Sequence, residues 1–193
     1  MKLLDHIRLL LKISRSRGIA RRYFVTNGFD GALTMLGLVT GFRYSGGVSA
    51  EIALSACLGA AIALAMSGLS SAYISEAAER KKELQELEGA MLAGLDDSKH
   101  AMAAKFAPVY IALVNGLAPL LFSLLITLPL WLAYWGVPLP LPPFDAAIVL
   151  AFCLIFLLGI FLGRISGGFW LFAGLRTVVI AAITSLLILL VNA

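Results

Sequence analysis

Side chains able to hold a cation occur in this sequence at spacings that gather them on helix faces. Asp30 stands in YFVTNGFDGALTMLGLVTGF, residues 23–42, a stretch otherwise dominated by apolar and small residues. Asn27, Asp30 and Thr34 follow an i, i+3, i+7 spacing, so on a helix their oxygens share one face. At a rise of about 1.5 Å per residue, Asp30 lies about 10 Å inside that helix. An ionised acid deep in a bilayer costs roughly 2.5–3.5 kcal/mol on insertion scales. Two uses would justify keeping it: an ion site, or a structural pair with a buried arginine. Met66 lies in ALSACLGAAIALAMSGLSSA, residues 53–72. If this segment spans in the opposite sense, Met66 is about 9 Å from its inner end, the depth of Asp30. A thioether beside a carboxylate suits a divalent transition metal better than Na⁺ or Ca²⁺. A methionine in a span is also ordinary core packing.

A second set of donors follows directly. Glu76, Glu79, Glu83 and Glu86 recur at i, i+3, i+7, i+10, within about 80° of one helix face. Like charges in line repel unless something neutralises them. By spacing, Arg80 answers Glu76 and Lys82 answers Glu79, and cytosolic cations could do the rest. Met91, Asp96, Asp97, His100 and Met102 offer further donors downstream. A solvated helix and a metal-gathering vestibule are both open readings of this stripe. Arg176 is a possible counter-charge for Asp30; the alternative is that it snorkels to the interface. Glu51 and Asp145 sit at outer span ends, where interfacial acids are common.

The elements that must position these residues are membrane helices. The chain has 193 residues, 61% hydrophobic and only 13% charged. A soluble domain is nearer half apolar and a quarter charged, so lipid is the required solvent here. The expected fold is all-α: a polytopic membrane protein with five transmembrane helices and a short cytosolic helical extension between helices 2 and 3. The spans fall at about 23–42, 50–72, within 107–135, 144–163 and 169–191, each long enough for a hydrocarbon core of about 30 Å. The domain boundaries are therefore a basic, amphipathic, interfacial N-terminal helix over 1–22, helices 1–2 over 23–72, a cytosolic helical segment over 73–106, and helices 3–5 over 107–193. The cytosolic segment is expected to break near Gly89 or Gly94 and return as a second helix.

Charge sets the orientation. Residues 1–22 carry seven Lys and Arg, and 78–106 carry five, while the 43–49 loop has only Arg43 and GVPLPLPP, residues 136–143, has none. Basic loops stay inside. The N-terminus is expected in the cytoplasm and the C-terminus outside, with a prokaryotic-type plasma membrane as the location. No cleavable signal peptide is visible, because LLLKI is followed by arginines and no small-residue cleavage site.

Several function classes are excluded. The net charge of +4 reflects basic blocks flanking apolar runs, so it gives no reason to expect nucleic acid. The only histidines, His6 and His100, lie outside the spans, and the serines of SGLSS have no evident base. No glycine loop for phosphate precedes a lysine. An enzyme is not expected. Cys57 and Cys153 lie in apolar runs without CxxC pairing and read as small buried hydrophobes.

In the order of its motifs the chain resembles the vacuolar iron transporter family, as a divergent, short, prokaryotic-type member. NGFDGALTMLGLVTG resembles that family's acid-bearing first span. AMSGLSSAYISEAAERKKE resembles its small-residue second span running into a glutamate-bearing cytosolic helix. APVYIALVNGLAPLL and LGRISGGFWLFAGLRTVVIAAITSLL resemble spans three to five. The resemblance covers nearly the whole chain past residue 20. It implies export of Fe²⁺, often Mn²⁺, from the cytosol by proton antiport through a homodimer, with no permanently bound cofactor. Asp30 matches the span-one acid, Met66 the span-two methionine and Glu79 the glutamate after that span; Glu76, Glu83 and Glu86 are further candidate ligands. The chain departs from some members in lacking an acid in mid span two and in its shorter cytosolic segment.

Overall fold

The computed structural model describes residues 9–14, 16–96 and 98–192. Of the expected interfacial helix, residues 1–8 and Arg15 lie outside the described residues, as does Asp97 of the downstream donors. The described residues are all-helical, with no strand among them. A short helical stretch over 9–13 precedes five helices: α1 (Ser16–Tyr44), α2 (Ala50–Met91), α3 (Lys99–Tyr134), α4 (Pro143–Ser166) and α5 (Trp170–Asn192). The basic residues Arg17, Arg21 and Arg22 therefore belong to α1 itself, not to a separate helix ending at 22.

Four of these, α2 to α5, are long and apolar enough to cross a membrane. This composition makes the chain a membrane-embedded protein. The expected count is five. α1 has the length, 29 residues, but Asn27, Asp30 and its threonines and glycines dilute its apolar run. The feature that makes α1 chemically interesting is the one that lowers its hydropathy.

Helix ends follow local chemistry. Gly46 and Gly47, both with φ above +70°, turn the chain between α1 and α2. The Ser49 hydroxyl then accepts from the Ile52 amide and starts α2. α2 runs 42 residues, through Gly89, to Met91. Between α2 and α3 the Glu88 carboxylate accepts from the Leu95 amide, and Ser98 caps the Ala101 amide. Pro143 opens α4 and Gly167, at φ 71°, closes it. α3 stays helical through Pro108, Pro119 and Pro129. Each proline costs one ladder bond, so packing must hold the helix together.

The chain divides into two compact units. One comprises the described residues of 1–24 with 65–117, the other 25–64 with 118–193. In the first, α2 and α3 pack through small residues. Gly68 lies against the Asn115 backbone, whose side-chain amide donates to the Gly68 carbonyl at 2.6 Å, and Gly116 lies against Ala65 and Leu69. In the second, Ala32, Met35, Leu36 and Val39 of α1, Ile126 and Leu130 of α3, and Ala147, Ala151 and Ile155 of α4 are buried. Gly31 of α1 sits on the Pro119 backbone of α3. α4 and α5 form a tight hairpin: Gly159 faces Gly174 and Thr177, Gly163 faces Trp170 and Ala173, and Thr177 donates to the Ile155 carbonyl at 3.1 Å. Small residues at helix contacts are the expected device where lipid offers no hydrophobic drive.

Cys57 is buried as expected, whereas Cys153 is exposed; both thiols are free. Cys153 lies on the outward side of α4, where a membrane helix meets lipid, so burial in protein is not required of it.

Candidate functional site

Asp30 takes its position from the packing of α1. Gly28, Gly31, Ala32, Met35 and Val39 form the buried face, with the Phe122 ring against Gly28. At about 100° per residue, Asp30 falls opposite that face. It is accordingly exposed, and half-buried Asn27 and Thr34 flank it. The Thr34 hydroxyl donates to the Asp30 carbonyl at 2.6 Å, which uses its hydrogen and leaves its oxygen able to accept or coordinate. Further along the same side, Gly37 and Gly41 lie under Ile188 of α5. α1 thus presents an oxygen-lined face one to two turns before it passes beneath α5.

Of the two readings left open for Arg176, counter-charge for Asp30 or snorkelling to the interface, the structure shows no pairing with Asp30. Arg176 is exposed, its guanidinium 4.9 Å from the centre of the Phe172 ring one turn earlier. No ion pair joins Arg176 to Asp30, and the Asp30 carboxylate has no hydrogen-bond or charge partner among the described residues. A cation over an aromatic face is a contact available within a single helix. A pair between α1 and α5 would instead need the short Asp30 side chain to lie within reach of Arg176.

Met66 belongs to the other unit and is 58% exposed. Its carbonyl accepts from the Ser70 hydroxyl at 2.7 Å. At about 100° per residue Met66 lies roughly 160° round the helix from Gly68, which makes the α2–α3 contact.

The glutamate stripe is partly self-neutralised. Arg80 is buried and donates Nη2 to Glu76 at 3.3 Å and Nη1 to Glu83 at 2.5 Å. Glu76 is buried with it. Lys82 reaches Glu86, at 3.8 Å, and not Glu79 as spacing suggested. An i, i+4 partner ahead of the lysine is as accessible as an i−3 partner behind it. Glu79 is exposed and outside these pairs. No three His, Cys, Asp or Glu side chains converge as a metal cluster among the described residues. The stripe therefore offers one open carboxylate and three that would have to exchange a basic partner for a metal ion.

One ion pair between helices escapes sequence reading. Arg43, in the last turn of α1, binds Asp145, in the first turn of α4. Its only advance signal was an acid and a base at the ends of apolar segments.

No protein-family model and no solved structure matches this chain. An uncharacterized protein of Methanocaldococcus jannaschii is 28% identical over 174 residues, which cover 89% of this chain and 87% of the relative.

Proposed function

We propose that this protein is a transporter that moves a divalent transition metal, Fe²⁺ or Mn²⁺, out of the cytosol in exchange for protons. The observation that carries the reading is Asp30: a carboxylate midway along a helix of a membrane-embedded chain, without a partner among the described residues and flanked by the oxygen donor Thr34. Acids at such depth are costly and are kept for ion or proton handling. In this reading α1 is the fifth span, the N-terminus is cytoplasmic, the C-terminus is outside, and the membrane is the plasma membrane. Met66, in the other unit, is a further candidate donor. Glu79 attracts the metal first, and the paired Glu76, Glu83 and Glu86 raise the local negative potential. Protonation of Asp30 from outside releases the ion. The resemblance to the vacuolar iron transporters supports the same assignment and suggests a homodimer, in which exposed faces of α1 and α2 would be covered.

The test is metal flux in proteoliposomes. Wild-type protein should move Fe²⁺ or Mn²⁺ and acidify the metal-donor side, while Asp30→Asn should fold and fail to transport. Undiminished flux in that variant removes Asp30 from the path. Absence of flux with either metal in the wild type removes the transport reading.

A second reading, a non-transporting assembly or regulatory protein, draws on Arg80, which already occupies two of the four glutamates. In that case the purified protein holds no metal, and losing Asp30 leaves its metal content unchanged.

A further inference from the structure

α2 and α3 run antiparallel through the unit formed by 65–117, in a register fixed by the contacts of Gly68 with Asn115 and of Gly116 with Ala65 and Leu69. The same register brings Tyr73, Ala77, Lys81 and Leu84 opposite Pro108, Lys105, Ala104 and Ala101. Together they line a cavity of about 290 Å³. Its chemistry is divided. Two lysines, one from each helix, supply positive charge, and the rest of the wall is mostly carbon. Neither lysine has an acidic partner among the described residues, whereas neighbouring Lys82 is tied to Glu86.

The cavity lies where both helices change composition. α2 passes from ALAMSGLSSA to SEAAERKK across it, and α3 turns apolar just beyond Lys105. From Lys105 a line of side chains at i+4 intervals runs into that apolar part: Val109, Leu113 and Leu117, each at least 45% exposed. From Lys105 to Leu117 the helix rises about 18 Å, enough to cross one leaflet, about 15 Å, of a hydrocarbon core about 30 Å thick. A cationic pocket at the head of an uncovered apolar track has the outline of a phospholipid.

We propose that this cavity is a specific site for an anionic phospholipid. Lys81 and Lys105 hold its phosphate. Tyr73 stands at the polar boundary, where amphipathic rings favour membrane interfaces. Ala77, Ala104 and Pro108 take the glycerol and first methylenes, and one acyl chain lies along Val109 and Leu113. The apolar walls distinguish this occupant from free phosphate, which would have no use for them. The proposal rests on membrane embedding alone and is independent of metal transport.

The experiment is native mass spectrometry of protein released from nanodiscs of mixed phosphatidylglycerol and phosphatidylcholine. Wild type should retain one phosphatidylglycerol in preference to phosphatidylcholine. Each basic residue at an anionic surface is worth about fivefold in binding, so Lys81→Gln with Lys105→Gln should cut that preference roughly thirtyfold. Lys82→Gln should leave it intact. Ala104→Leu should reduce retention with both charges present, because it fills the cavity. Equal retention by wild type and the double lysine variant overturns the site. Displacement of the lipid by excess inorganic phosphate also overturns it, because that marks a free-anion pocket.

Discussion

Arg43 holds Asp145 through two contacts, Nε to Oδ1 at 2.7 Å and Nη2 to Oδ2 at 3.4 Å, and so ties the end of α1 to the start of α4. The bond from Asp145 holds the Arg43 guanidinium above its already high ordinary pKa. Any stability from a raised basic group is present below its unfolded pKa and lost only above it. For arginine that window lies beyond working alkali. Salt, not alkali, should therefore weaken the pair. Arg43→Gln should lower the melting temperature of the detergent-solubilised protein slightly at low salt, and not at all near 1 M, where the Debye length is about 3 Å. Exchanging the two residues, Arg43→Asp with Asp145→Arg, should recover the low-salt value.

Gly31 and Gly37 make opposite predictions although both are glycines of one helix. A Cβ at Gly31 would stand 2.6 Å from the Pro119 carbonyl oxygen and 2.7 Å from its Cα, a backbone that cannot move aside cheaply. Gly31→Ala should cost about 1–3 kcal/mol, the usual penalty of overpacking. At Gly37 the nearest atom is the Ile188 methyl at 3.4 Å, so Gly37→Ala should be close to neutral. Thermal unfolding followed by circular dichroism separates the two.

Arg80 presents a buried charge balanced by buried and half-exposed acids. Removing it alone, as Arg80→Met, strands Glu76 and should destabilise by about 3 kcal/mol, in the range for breaking a buried pair from one side. Removing both charges, as Arg80→Met with Glu76→Gln, should recover a large part of that loss. A double variant no better than the single would show that Arg80 acts through packing of its stem.

Thr177 bridges α5 to α4 by donating to the Ile155 carbonyl, and also to Gly174 within its own helix. Thr177→Val keeps the shape and loses the bridge. Interhelical hydrogen bonds in membranes average about 0.6 kcal/mol, so the loss should be small. Gly159→Ala, which drives a methyl into Gly174 and Thr177, should be much worse.

Local periodicity carried a great deal of this. Asp30, Asn27 and Thr34 share a face because 3.6 residues per turn puts them there, whatever the rest of the chain does. The long apolar runs of α4 and α5 leave few alternatives to membrane helices. Long-range partners were not legible. Arg43 and Asp145 are 102 positions apart, and nothing in either neighbourhood names the other. Arg176 looked like a mate for Asp30 on depth alone, but depth says nothing of azimuth, and Phe172 was nearer at hand. Lys82 had two glutamates within reach, and spacing does not rank them. α1 is the instructive case: the residues that mark it as functional are those that hold its hydropathy below that of the other four.

The α4–α5 hairpin has a consequence for biosynthesis. Helices of 24 and 23 residues are joined by a turn of three residues, Gly167 to Phe169, and are locked by Gly159, Gly163, Gly174 and Thr177. Neither helix can be laterally released far from the other. The pair should therefore leave the translocation machinery as a preassembled wedge, with the Thr177 hydroxyl already bonded to the Ile155 carbonyl before acyl chains surround it. A ribosome-stalled chain ending within α5 would hold α4 without its clasp, and that intermediate should be the most readily extracted from the bilayer.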